Sequence, residues 1–175
     1  MQRPPDAMLK AIAILDSISL WSGRIVAVLI IPMVLSLVYE VVARYVFDAP
    51  TAWAYDMTFM LYGSHFMLGL AYTLARKGHI RTDSFYSKWS VKTQGRVDTI
   101  CYLLFFFPGL IVFMVLTWKF FLVSFGQGER YVGSPWMPII YPFKFIMPLA
   151  TAMLLLQGVS ELLKSFRAAT KGEWL

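Results

Sequence analysis

IVAVLIIPMVLSLVYEVVA, residues 25–43, is a run of 19 residues carrying one charge, Glu40, and its reading decides the fold. A helix of about 20 apolar residues crosses the ~30 Å hydrocarbon layer of a bilayer. Three further runs of the same character follow at 52–75, 99–118 and 139–163. In a chain of 175 residues these runs leave no room for a soluble catalytic domain. The expected fold is therefore all-α, a four-helix membrane domain over 1–175, and whatever the chain does is done in a membrane or at its two surfaces.

Composition agrees. The chain is 58% hydrophobic, 17% aromatic and 15% charged, with a mean hydropathy of +0.62, where a soluble domain carries about 25% charge. A net charge of +6 invites a nucleic-acid reading, but its distribution excludes one. Arg76, Lys77, Arg81, Lys88, Lys92 and Arg96 crowd the connection between the second and third runs, Lys164, Arg167 and Lys171 the C-terminal tail, and Arg3, Lys10 and Arg24 the approach to the first run. The positive-inside rule puts both termini and this middle loop in the cytoplasm, and an even number of spans makes those placements consistent. No cleavable leader is expected, and the first run serves as a signal anchor. A single cysteine, Cys101, excludes an internal disulfide and any paired-cysteine metal motif.

Two segments outside the spans carry helical periodicity. Met8, Ile12, Leu15 and Ile18 predict a short amphipathic helix over 6–19 on the inner surface, with Asp6 as its cap and Trp21 and Arg24 as anchors. Thr82, Phe85, Tyr86 and Trp89 share a face opposite Arg81, Ser84, Lys88 and Lys92, which predicts a second such helix over 82–92 or, alternatively, a loop docked on another protein. Pro108-Gly109 predicts a bend within the third span.

Ionisable residues inside spans are costly and mark function by default. Glu40 and Arg44, four residues apart, pair on one helix face. Asp56 complements the dipole at the start of the second helix. Lys144, in the outer part of the fourth span, is placed to reach Glu40 or Asp56. These four either brace the bundle or contact a partner subunit. Glu161 and Lys164 read as an interfacial pair at the inner end, and His65 as a satisfied histidine without the second ligand that haem needs. Gly63, Gly69 and Gly158 provide small faces for helix packing. No nucleophile triad, phosphate loop or metal cluster is present, so no enzyme, cofactor or metal is expected.

The ordered set Arg44-Tyr45-Val46-Phe47, Pro50, Trp53, Asp56, Gly69, Ala71 and Gly78-His79-Ile80-Arg81-Thr82-Asp83 resembles the small membrane subunit, DctQ type, of tripartite ATP-independent periplasmic (TRAP) transporters. Tyr55 stands where that family often has a first acidic residue. The runs 52–56, 141–145 and 156–158 are similar to its mannitol/chloroaromatic subgroup. The resemblance implies a sodium-driven importer of small organic anions in a bacterial or archaeal inner membrane. A periplasmic binding protein captures the substrate. A large multi-span subunit carries the sodium and substrate sites, and the small subunit braces it among membrane lipids. On that reading His79, Arg81 and Asp83 form an inner-loop site. Trp53, Gln127, Glu129, Arg130 and Trp136 form an outer docking face. Two rivals remain: a homodimeric multidrug-type exporter built on Glu40, and a haem- or quinone-bearing subunit.

Overall fold

Pro32 divides the first apolar run into two helices in a computed structural model, which describes residues 7–78 and 86–175. α1 spans Ala7–Ala27 and α2 spans Ile30–Val46. Proline has no N–H for the Val28 carbonyl, and its ring crowds the preceding turn. The chain answers with tighter bonds: Val28 N–H to Ile25 O at 3.1 Å, Leu29 N–H to Val26 O at 3.0 Å and Ile31 N–H to Val28 O at 3.1 Å. His65 completes the repair, its Nδ1 lying 3.1 Å from the Val26 carbonyl. The helix expected over 6–19 therefore runs on to Ala27 rather than ending before the span, and its Asp6 cap lies outside the described residues.

α3 spans Ala54–Ala75. α4, Val91–Cys101, starts at Ser90, whose Oγ accepts the Thr93 N–H at 3.3 Å. It continues through a π-helical turn, Tyr102–Phe106, into α5, Phe107–Gln127. The irregularity expected at Pro108-Gly109 thus takes the form of a π turn just before it. Pro108 has no N–H for Leu104, and the widened turn instead sends the Phe107 N–H to Tyr102 O. α6, Tyr141–Lys171, is 31 residues long, about 46 Å at the helical rise. The second interfacial helix expected over 82–92 falls partly outside the described residues. Of the rest, Trp89 N–H closes a turn on Tyr86 O at 3.1 Å, and Val91 already begins α4.

α6 is the hub, packing on α1, α3, α4 and α5, while α3 packs on α1, α2 and α6. The interior is polar rather than oily. Among the described residues fourteen polar or charged side chains are buried, against nine apolar ones besides Pro138 and Pro148, and the large aliphatic residues of α2 and α5 face outward. That inversion suits hydrocarbon surroundings, where burying apolar surface gains nothing and small or hydrogen-bonding residues hold helices together.

Among the described residues three helical stretches are long and apolar enough to cross a membrane: Ala7–Val46, Val91–Gln127 and Tyr141–Lys171. α3, expected as the second span, has the length at 22 residues, but Asp56, Ser64, His65 and its tyrosines interrupt it, so it lacks the sustained apolar stretch that those three contain.

Candidate functional site

The most heavily bonded group of side chains lies where α1 crosses α6. Gln157, Ser160, Glu161, Lys164 and Ser165 form a polar stripe at helical spacing on α6, and all five are buried. Asp16 on α1 meets them. Its Oδ1 accepts from Ser160 Oγ at 2.6 Å, Gln157 Nε2 at 2.9 Å and Lys164 Nζ at 3.0 Å. Lys164 Nζ also reaches Asp16 Oδ2 at 2.9 Å and Glu161 Oε1 at 2.7 Å. One ammonium thus bridges two carboxylates and ties two helices together through residues 148 apart in sequence. The Glu161–Lys164 pair expected at an interface is in fact sealed inside, with Glu161 3% and Lys164 7% exposed.

At the opposite end of the bundle the four residues expected as one cluster separate into distinct arrangements. Glu40 pairs with Arg44, whose Nε donates at 2.9 Å, and its other oxygen accepts the Thr51 backbone N–H at 3.0 Å and the Thr51 hydroxyl. One carboxylate therefore locks the turn between α2 and α3. Lys144 reaches neither Glu40 nor Asp56. It pairs with Glu129, across the connection from α5, and lies 4.0 Å from the centre of the Phe120 ring. Tyr131 N–H to Pro138 O at 2.9 Å and Ile140 N–H to Glu129 O at 3.1 Å fold this connection back on itself, which carries Glu129 to Lys144. The Lys144 ammonium holds the Glu129 carboxyl below the usual carboxylate range. Asp56 stands by itself in the first turn of α3, buried, with Oδ2 unpartnered.

Trp53, Gln127, Glu129, Arg130 and Trp136 all fall at this same end, but Glu129 is engaged with Lys144. Trp53 packs on Tyr39 with ring centres 5.5 Å apart. Arg130 donates to Met137 O at 3.1 Å, and Ser134 accepts the Trp136 N–H at 3.2 Å while donating to Ala52 O at 3.4 Å. The two turns of this end are thereby joined. His79, Arg81 and Asp83 lie outside the described residues.

Of the three glycines expected to pack helices, two do so within the chain. Gly63 lies against the Phe143 ring and Gly158 against Phe106, while Gly69 has nothing within 4 Å of a would-be Cβ. Two others escaped the sequence reading. Gly23 faces Tyr72, and Gly95 lies on the α6 backbone itself, where a Cβ would sit 2.7 Å from Ser165 O. The Asp16 network was also missed, although the 157–160–161–164–165 spacing on an otherwise apolar helix was its visible trace.

Among the described residues no group of three or more His, Cys, Asp or Glu side chains could hold a metal ion. The ionisable groups of α1, α2 and α6 instead tie element to element, an arrangement suited to bracing. The family described as "Tripartite ATP-independent periplasmic transporters, DctQ component" matches residues 33–168, more than three quarters of the chain, leaving out α1, the start of α2 and the last residues. No curated protein matches the chain.

Proposed function

The chain belongs to the DctQ component family of tripartite ATP-independent periplasmic transporters, and from that premise we propose that it is the bracing subunit of a sodium-coupled importer of small organic anions. In this reading α3 crosses the membrane as a fourth span, with both chain termini in the cytoplasm. The large subunit moves the substrate, and the end that carries Trp53, Arg130 and Trp136 receives the periplasmic binding protein. The single observation that carries it is how the charges are used. Glu40 closes a turn with Arg44 and Thr51, Lys144 holds Glu129, and Lys164 joins α1 to α6 through Asp16 and Glu161. Charges engaged in this way stiffen a bundle. A translocation path needs groups that exchange partners.

The exporter alternative is weakened by the same geometry, because Glu40 is bonded at both oxygens. Reconstitution tests the reading. Proteoliposomes holding the large subunit, the binding protein and an inward sodium gradient are supplied with the organic anion, chosen from a panel, that raises the melting temperature of the binding protein. Including this chain should raise uptake at least tenfold, and this chain alone should give none. Uptake unchanged by its omission, or export of a hydrophobic cation by this chain alone, would overturn it.

A further inference from the structure

α3 is closed on three sides and open on one. On one flank Tyr72 packs against Gly23 and His65 reaches Val26 O, both on α1. On the other, Phe143 of α6 packs on Gly63 and meets the Phe59 ring at a tilt, with ring centres 5.8 Å apart. Ala54, Asp56, Ala71 and Leu74 are buried. The remaining face presents Tyr55, Phe59, Tyr62 and Phe66, exposed at 71%, 54%, 58% and 60%. With 3.6 residues per turn these four and Gly69 fall within an arc of about 80°, and Gly69 ends the stripe as an open notch.

Lipid is a poor cover for this face. Tyr62 is the ninth of the 22 residues of α3, so its phenol sits far from the helix ends, where tyrosine normally finds the headgroup layer. A hydroxyl held in hydrocarbon without an acceptor is costly. α3 also falls short of the apolarity reached by the three membrane-length stretches. On α5 the exposed run Ile111, Val112, Val115, Leu116 and Val123 is aliphatic, a surface that lipid satisfies.

We propose that the Tyr55–Phe59–Tyr62–Phe66–Gly69 face of α3 seats a transmembrane helix of the large transport subunit. The complementary helix offers a hydrogen-bond acceptor to the Tyr62 phenol and a bulky side chain to the notch at Gly69. This surface rests on the bracing-subunit reading for the identity of its occupant.

Photo-crosslinking in native membranes tests it. Benzoylphenylalanine replaces Tyr62 in one variant and Leu116, on the aliphatic face of α5, in another, with the large subunit co-expressed. The expected result is an adduct with the large subunit from position 62 and none from position 116. Lipid adducts only, an adduct with a second copy of this chain, or equal adducts from both positions would overturn the proposal. As a second variant, Tyr62→Lys points outward and should leave the melting temperature of the isolated chain unchanged. It should lower recovery of the large subunit at least tenfold, and full recovery would overturn the surface. If the unmodified chain recovers no large subunit, the bracing-subunit reading itself fails. If it does and position 62 yields no adduct, only the surface fails.

Discussion

Lys164→Met should lower the unfolding midpoint of the detergent-purified chain by about 6–12 °C, taking about 3 kcal/mol of destabilisation at 2–4 °C per kcal/mol. Methionine matches the length of the lysine stem but carries no charge. Asp16 and Glu161 would then face each other's side of the α1–α6 contact without their shared cation. Removing one partner of a buried pair is worse than removing the pair, because the remaining charge stays desolvated. Asp16 keeps about a quarter of its side-chain exposure, which places the loss at the lower end of the usual range. The triple variant Asp16→Leu, Glu161→Gln, Lys164→Met should recover most of the midpoint. A single variant that melts like the parent would show that the network carries no stability.

Gly95→Ala should also destabilise, although alanine is the better helix former by about 1 kcal/mol. The reason is what the new methyl meets. Its nearest neighbours are backbone atoms of α6, including Ser165 O at 2.7 Å and the Ala168 carbonyl carbon at 2.8 Å. A flexible side chain can move aside, but a helix backbone can yield only by shifting the whole element. The expected cost is about 1–3 kcal/mol, read as a lower melting temperature and faster amide exchange in α4. Gly126→Ala supplies the control, since nothing lies within 4 Å of its would-be Cβ and the change there should be neutral or stabilising. Equal behaviour of the two variants would contradict the close α4–α6 crossing.

Both sites show where sequence reading reaches its limit. Hydropathy is a local property, so the apolar runs at 25–43, 99–118 and 139–163 were legible directly and reappear in the three membrane-length helical stretches. Pairing at i,i+4 is equally local, and Glu40–Arg44 was readable for that reason. Proline effects were legible in part: Pro108 announced an irregularity, while the break that Pro32 imposes beside Val28 and Leu29 was passed over inside a strongly apolar run. Contacts set by the crossing of helices were not legible. Lys144 shared the outer half of the bundle with Glu40 and Asp56, yet its partner is Glu129, brought over by the fold of the 128–140 connection. Asp16 and Gln157 are 141 residues apart, and no spacing rule joins them. Gly95 sits in a segment of low apolarity, and only the approach of α6 gives it a role.

The same distinction bears on function. The ordered motif around Arg44, Trp53 and Asp56 led to the family, and the match over residues 33–168 establishes it. The polar stripe on α6 ties the bundle together, with α1, which lies wholly before the matched stretch, clamped on by Asp16.

The most direct test of the bracing-subunit reading is a mild-detergent pull-down of the tagged chain from its native host, with mass spectrometry of what accompanies it. The expected result is near-stoichiometric recovery of one much larger multi-span membrane protein. Emergence of the chain alone, or as a homodimer, would contradict it.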